Sequence, residues 1–330
     1  MIRAFVRIYE VVWYDSAPVK FIKEWRRTSV ITPTLLIVNP YAGGGRAGLI
    51  WQRHEPDIRR LLGDLLVNIT QRVEELPDVI GGAVEEGIRR VVAIGGDGTN
   101  HTVLNALMQH HNAEPLLPFV YGVIPAGTGR DFARGLGLPL KPVQAIQQLA
   151  HAHPRPIDIG HVRYDDNAAY FLNISSAGIS NDVVQRVDCG PRRPWTFLHA
   201  AVTSLLHYDP EPMRIWLDDE LFWDDDVYIV VVANGTTFAQ GMQIAPQARV
   251  DDGLFDVVVV ERMPRLEILS QLRLAYSGAH IHHPKVHIRR ARHVRIQSDG
   301  RQLGMDLDGE PAQGREMVYT VRPQALTLLA

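Results

Sequence analysis

Gly95-Gly96-Asp97-Gly98-Thr99 directly follows the apolar run Val91-Val92-Ala93-Ile94 and precedes a helical pattern. Glycines let a backbone approach a phosphate closely and adopt turns that side chains forbid. The free amides of such a turn, with a helix N-terminus behind them, donate to an anion. Asp97 would repel a phosphate directly, so its sensible part is to act through a divalent cation or to orient neighbouring donors. Thr99 can cap the helix or contact a phosphate. Val250-Asp251-Asp252-Gly253 is a compact acidic turn of the hard-oxygen kind that Mg²⁺ or Ca²⁺ accepts, and also the composition of an ordinary turn between strands. Leu307-Asp308-Gly309-Glu310-Pro311 by itself reads as a hairpin turn, since Asp-Gly is a strong hairpin signal.

Other phosphate-binding devices are missing. No Gly-x-x-x-x-Gly-Lys-Ser/Thr run occurs. Gly43-Gly44-Gly45-Arg46-Ala47-Gly48 lacks the spacing of a dinucleotide turn, and Asn68-Ile69-Thr70 stands where the acidic residue of such a site belongs.

The elements that must position these residues follow from the periodicity. Residues 34–38, 65–70, 91–94 and 119–124 are short apolar runs of the buried parallel type, separated by helical patterns over 47–62, 76–90 and 100–110. This alternation predicts a Rossmann-like α/β domain over residues 34–156, with ligands at the carboxyl ends of its strands. From residue 157 to 330 strand-like runs dominate, at 157–162, 169–174, 213–217, 227–233, 255–260, 294–297 and 316–321. Helices are expected only at 195–206 and 266–277. The second domain should therefore be a largely antiparallel β-sandwich, with a C-terminal tail free to pack on either domain. Residues 1–33 form an N-terminal extension.

Composition bounds the function. The 330 residues suit two domains, and the formal net charge of −3 argues against a nucleic-acid binder that relies on bulk positive charge. The single cysteine, Cys189, permits no intramolecular disulfide, in keeping with a reducing cytoplasm. No run is long and apolar enough to span a bilayer. The histidines around His280, His282, His283, His287 and His293 lack a carboxylate set for a metal, and their alternation with apolar residues reads as strands with one solvated, basic face. Trp195, Phe197 and Leu198 read as a helix packed on the core.

The chain resembles the diacylglycerol kinase catalytic-domain family, in particular soluble bacterial lipid kinases related to sphingosine and ceramide kinases. The resemblance rests on Asn39-Pro40 with the glycines after it, on Gly95 to Thr99, on Pro125-Ala126-Gly127-Thr128-Gly129-Arg130-Asp131-Phe132-Ala133-Arg134, and on two later segments. These are Ala245-Pro246 through Asp256, and Leu307-Asp308-Gly309-Glu310. The glycine turn alone is shared with NAD kinases and phosphofructokinases; the order and spacing of the whole set are not.

The resemblance implies an ATP-dependent phosphotransferase acting on a lipid hydroxyl. Asn39, Thr70, Gly95, Gly96, Asp97, Gly98, Thr99 and Thr128 would surround ATP. Asp252 would hold a structural Mg²⁺ with the backbone carbonyls of Arg249 and Leu254, and Glu310 would be the general base with Asp308 beside it. A cytoplasmic enzyme of this kind would meet its lipid at the membrane surface, without a transmembrane segment and without nucleic acid; a homodimer is admitted but not specified. Two departures stand out. Arg130 replaces the family's usual Asn and would add a positive charge near the phosphates. Asn100-His101-Thr102 replaces an apolar residue followed by Asn-Glu. They keep open a same-fold kinase for a soluble acceptor such as a polyol or NAD, and a nucleotide- or lipid-binding regulator without turnover.

Overall fold

The computed structural model describes residues 33–113, 119–188 and 196–330. The expectations for residues 1–33 (apart from Pro33), for Cys189 and for Trp195 lie outside them. The first half alternates strands and helices: β1 (Thr34–Val38), α1 (Arg46–Leu62), β2 (Leu65–Ile69), α2 (Leu76–Glu85), β3 (Arg90–Gly95), α3 (Asp97–Ala113) and β4 (Val120–Pro125). Its strands are parallel in the order β2-β1-β3-β4. Both faces are covered, which explains why the strands read as continuous apolar runs rather than alternating ones. Leu35, Ile37, Val91 and Ala93 face the layer containing Leu76, Ile80, Leu104 and Leu107. Leu36, Val38, Val92 and Ile94 face Ile50, Trp51, Ile146 and Leu149.

Two short helices, α4 (Asp131–Gly135) and α5 (Pro142–His151), lead into the second half. There follow β5 (Pro154–Tyr164), β6 (Asn167–Phe171), β7 (Ile174–Gly178), α6 (Ile179–Asp188), α7 (Thr196–His207), β8 (Glu211–Leu217), β9 (Glu220–Ala233) and β10 (Phe255–Glu261). The chain ends with α8 (Arg265–Ala275), β11 (Val286–Ala291), β12 (His293–Ser298), β13 (Leu303–Leu307), β14 (Glu310–Gly314) and β15 (Glu316–Leu329). Pairing among these strands is antiparallel and forms a sandwich around Phe171, Ile215, Val230, Phe255, Met305 and Tyr319. A second apolar layer lies outside it, where α6, α7 and α8 cover β7, β9 and β10.

Three element expectations need correction. The helix expected over 76–90 stops at Glu85, because Gly87 turns left-handed at φ 85° and its amide bonds the Val84 carbonyl; Arg90 already pairs with Thr34 in the sheet. The helix expected from 100 starts at Asp97, inside the glycine turn itself. The last strand does not stop at 321: β15 bends and continues to Leu329, pairing antiparallel with β5 and, at Thr327 and Leu328, in parallel with β4. Helix α6 and the strands β13 and β14 have no counterpart among the expected elements.

Gly160 on β5 shows how tightly the sandwich is filled. It pairs with Phe171, and a Cβ there would fall within the Phe171 ring. That ring cannot withdraw, because it is fully buried, stacked on Phe255 at 5.8 Å and met edge-on by Tyr319 at 6.1 Å. Gly160→Ala should therefore lower stability by about 1–3 kcal/mol through overpacking. A urea midpoint that falls with an unchanged slope is the expected signature, and an unchanged midpoint would show that the ring has room to move.

Candidate active site

The carboxyl ends of β1, β3 and β4 meet at one point, where three glycine-bearing turns touch. A Cβ on Gly127 would lie 2.7 Å from the Gly96 Cα, and one on Gly43 would collide with the Ala126 carbonyl. Only glycine permits this approach, so the turns after β1, β3 and β4 present their backbone as one surface. Asn39 Nδ2 donates to Thr99 Oγ1 at 2.9 Å, and Asn39 Oδ1 accepts the Tyr41 amide at 3.2 Å. Thr70 is buried at the end of β2 and donates to Asn68 Oδ1 at 2.9 Å. Thr128 and the Gly96–Thr99 stretch line the same cavity as Asn39 and Thr70. Gly95 lies one residue behind the lining, where a Cβ would overlap the Thr99 side chain.

Asp97 sits beneath this surface. Its Oδ2 accepts the Arg130 amide at 2.9 Å. Burial pushes its carboxyl up to about 6, the nearby Asp131 and Asp308 charges add to that, and the amide donors oppose it. Asp131 is also raised, first by burial, although the Gln240 amide donates to it at 2.7 Å. A half-buried carboxylate with no cationic side chain on it, in a nest of amides, fits a divalent cation carried in with phosphates. Among the described residues no three acidic or imidazole side chains converge to ligate an ion by themselves. That is the habit of Mg²⁺, which takes one or two carboxylates and fills its octahedron with phosphate and water.

The second half supplies the opposite wall. Asp308, in the left-handed region at φ 54°, heads the turn between β13 and β14. Its carboxylate accepts three amides, from Leu172 at 2.7 Å, Asn173 at 2.9 Å and Ile174 at 3.0 Å. His101 Nδ1 stands 3.7 Å away. The Asp308 oxygens are thus engaged in fixing the backbone of residues 172–174. Glu310, two residues on, extends across the cleft: its Oε1 lies 2.5 Å from the place a Cβ on Gly98 would take. The glycine at 98 is what gives that carboxylate room beside the phosphate turn.

Two expectations are corrected. Arg130 does not face the phosphates. It adopts the left-handed conformation at φ 57°, its guanidinium donates to the Leu140 carbonyl at 3.1 Å, and it lies off the cavity lining. What the position supplies to the site is its backbone amide, on Asp97. The Asp252 turn does not present a vacant hard-oxygen set either. Asp252 Oδ1 accepts the Leu254 amide at 3.1 Å, Oδ2 is ion-paired with the Arg290 guanidinium, and the Arg249 side chain turns to Asp251 at 3.2 Å. A fixed cation already faces the carboxylate, so these residues do not fit a divalent ion, and no step is routed through one there.

Several cavity residues escaped the sequence reading. Arg46 reaches the Gly127 carbonyl at 3.5 Å, and Asp306 sits fully buried on β13 behind the Asp308 turn. Ser176 donates to Asp306 Oδ2, and the Gly309 amide donates to Oδ1 at 3.3 Å. Its place two residues before Asp308, on the strand that leads into that turn, is a signal the sequence did contain. From this floor the cavity, about 1270 Å³ in all, continues without a break under α6, α7 and α8, where Val183, Phe197, Leu205, Ile229, Val260 and Leu272 make it apolar.

Comparison with known proteins agrees with this architecture. Residues 33–162 match the diacylglycerol kinase catalytic domain, and residues 173–330 match the YegS C-terminal NAD kinase beta sandwich-like domain. A "Probable lipid kinase YegS-like" from Stenotrophomonas maltophilia (strain K279a) is 30% identical over 255 residues, covering 76% of this chain and 82% of that one. The chain belongs to the diacylglycerol kinase catalytic-domain family. A "Diacylglycerol kinase" from Staphylococcus saprophyticus is 27% identical over 266 residues, covering 76% of this chain and 84% of its own. The solved structure of a diacylglycerol kinase from Bacillus anthracis str. Sterne shares the fold, with a TM-score of 0.69 over 92% of this chain and 98% of that chain, at 20% identity.

Within this family of kinases, the geometry makes two tests. Gly98→Ala puts a methyl against the Glu310 carboxylate and, if that carboxylate is needed where it stands, should cut turnover roughly 10- to 100-fold, the order of loss for a group misplaced by about 1 Å. Its circular dichroism and melting should match wild type; full activity would show that Glu310 is not needed where it stands. The second concerns Asp306. Burial raises its carboxyl to about 6, the Asp308 charge adds to that, and the Ser176, Gly309 and Ser180 donors oppose it. The unfolded chain loses that proton near pH 4, so the stability contributed by this group is full below about pH 4 and is lost as pH rises through about 6. Asp306→Asn should therefore be more stable than wild type at pH 8 by about 1–3 kcal/mol, with the gap closing near pH 4. A gap independent of pH would refute the assignment.

Proposed function

We propose that this protein transfers the γ-phosphate of ATP to a hydroxyl of a diacylglycerol-like lipid. One observation carries the reading: the polar cleft under the glycine turns and the apolar space under α6, α7 and α8 are a single cavity, with Asp97, Asp308 and Glu310 on its lining. A soluble polyol needs no apolar arm of this kind, and an acyl chain does.

The parts divide as follows. Asn39, Thr70, Gly95 to Thr99 and Thr128 hold the nucleotide, their backbone donors converging on its phosphates. Asp97 would hold Mg²⁺ through the triphosphate; the ion, when bound, spreads the charge that develops on the transferring phosphoryl group. The acceptor hydroxyl enters from the apolar side. Glu310 takes its proton as the oxygen bonds to the γ-phosphorus and the bond to the β-phosphate oxygen breaks, releasing ADP. Asp308 keeps Glu310 in place, and His101 packs beside it.

No helix among the described residues is long and apolar enough to cross a membrane. A water-side enzyme of this type draws its substrate from the membrane surface and works there as a peripherally bound cytoplasmic protein. Supporting this, Leu198 and Leu206 on α7 and Leu266 and Leu274 on α8 are exposed next to Arg265 and Arg273, on the helices that roof the apolar arm. Leucines that would be misplaced on a wholly wetted surface suit a surface of anionic lipid.

The test is transfer of labelled phosphate from ATP to a panel of lipid and soluble acceptors, with and without Mg²⁺. A labelled lipid whose formation needs Mg²⁺ is expected. Glu310→Gln should lower kcat by roughly 10²- to 10⁴-fold, the usual worth of a general base, while nucleotide binding persists. Label appearing only on soluble acceptors, or a Glu310→Gln enzyme as fast as wild type, would overturn the proposal.

A further inference from the structure

The open edge of β6 is closed by a side chain from the first half of the chain. β6 pairs with β5 alone. In an antiparallel pair, alternate residues turn both the N–H and the C=O away from the neighbouring strand. Tyr170, opposite His161, is such a residue. Its amide donates to Asn105 Oδ1 at 2.8 Å, and its carbonyl accepts from Asn105 Nδ2 at 3.0 Å. Asn105 lies on α3. Its side-chain amide therefore stands where a further strand would place a peptide group, and the two opposed bonds fix which way round it sits.

The same Nδ2 donates to the His101 carbonyl at 2.9 Å and lies 3.3 Å from His101 Nε2, one helical turn earlier on the same face of α3. An amide nitrogen carries only protons, so Nε2 of the neutral ring is the bare nitrogen and the proton sits on Nδ1. Nδ1 faces Asp308 Oδ2 at 3.7 Å. Two residues beyond Tyr170, the Leu172 amide donates to that same Oδ2 at 2.7 Å. Residues 170–172 are thus gripped from both halves: by α3, whose N-terminus is the phosphate turn, and by the turn that carries Glu310. Both links are short and stiff. Two extended residues span about 7 Å, and α3 rises about 9 Å from Thr99 to Asn105.

We propose that Asn105 is a positioning residue for phosphoryl transfer, fixing how far the Glu310 carboxylate stands from the phosphate turn. The inference rests on the kinase reading and adds to it a residue that lies off the cavity lining. Asn105 acts through Tyr170 and, by way of the His101 ring, on Asp308. Losing it frees the Tyr170 edge and lets that ring turn, so the Glu310 wall drifts relative to α3. The phosphate surface, built from the turns after β1, β3 and β4, stays whole.

Asn105→Leu keeps the shape and removes both bonds to Tyr170. With ATP and the acceptor that wild type labels best, it should lower kcat roughly 10- to 100-fold, the cost of a group misplaced by about 1 Å, and leave KM for ATP within about twofold. In a Glu310→Gln background the same substitution should cost less than about threefold, because the group it misplaces is already gone. A residue that only holds the fold together would multiply the two losses. Unchanged kcat in Asn105→Leu, or full multiplication with Glu310→Gln, overturns the proposal while the kinase reading stands. If no acceptor is labelled, the kinase reading fails, and deuterium exchange decides whether Asn105 fixes the Glu310 wall. The Leu172, Asn173 and Ile174 amides exchanging roughly 10-fold faster in Asn105→Leu, with Val294 and Ile296 on β12 unchanged, upholds it. Protection of residues 172–174 equal to wild type refutes it. If Asn105→Leu does not fold, Asn105→Asp is read in the same assays with the same deciding outcomes; it keeps an acceptor for the Tyr170 amide and sets a carboxylate oxygen against the Tyr170 carbonyl.

Discussion

The Asp308 carboxylate, accepting three consecutive amides from Leu172, Asn173 and Ile174, is the interaction on which the site depends. Leu172 and Asn173 lie between β6 and β7 and Ile174 opens β7, and amides left unpaired there would be costly in the interior. The same carboxylate fixes the turn that carries Glu310. Asn234 reinforces the junction by donating to the Leu172 carbonyl at 2.7 Å and the Asp158 carbonyl at 2.9 Å. Satisfying a backbone that the sandwich leaves open and aiming a side chain across the cleft are thus one event. Charge-assisted bonds of this kind are stronger than neutral ones, which suits a turn that must not drift.

A second constraint is the close approach of the glycine turns. Gly43, Gly96 and Gly127 each occupy a position where a Cβ would meet another turn's backbone. The surface they form is held by covalent geometry and by bonds such as Ala126 N to the Gly95 carbonyl at 2.8 Å. Under the proposed function, a nucleotide would meet donors already set in place by these turns. Because α3 begins at Asp97 rather than after the turn, Gly98 and Thr99 are helix N-terminal residues, and their amides add the positive end of the helix dipole to the phosphate site.

Much of this was legible in the residues. The parallel strands announced themselves as short apolar runs because both of their faces are buried, and the glycine turns fell at their carboxyl ends for the same topological reason. Glu310 was legible only through its resemblance to a family pattern; locally, Asp308-Gly309 is a hairpin turn, and the structure agrees that it is one. What was hidden depended on long-range partners. Nothing near Asp252 in sequence shows that Arg290, on β11, will pair with its carboxylate. Nothing near Arg130 shows that the Leu140 carbonyl will draw its guanidinium away. The apolar arm was hidden too, since α6 carries a mixed pattern that reads as neither helix nor strand until its buried face, with Ile179 and Val183, meets β9 and α7.

The location of the departures from the family pattern now has a physical sense. Asn100, His101 and Thr102 follow the first residues of α3, and each is engaged inward: Tyr121 donates to Asn100 at 2.7 Å, Thr102 donates to the Gly98 carbonyl at 3.1 Å, and His101 stands by Asp308. The glutamate usual in the family at the position of Thr102 would bring another carboxylate to a floor where burial already raises the carboxyls of Asp97, Asp131 and Asp306, with the Asp131 charge adding at Asp97 and the Asp308 charge adding at Asp97 and Asp306. Replacing it by a hydroxyl that bonds the helix backbone lowers that repulsion without removing Asp97. The imidazole at 101 stands 3.7 Å from the Asp308 carboxylate at the edge of the same floor. The substitutions therefore shift the electrostatic balance beneath the phosphates while leaving the glycine surface above and the Glu310 wall opposite intact. They separate the two requirements of phosphoryl transfer, a fixed geometry and a tuned field, and alter only the second.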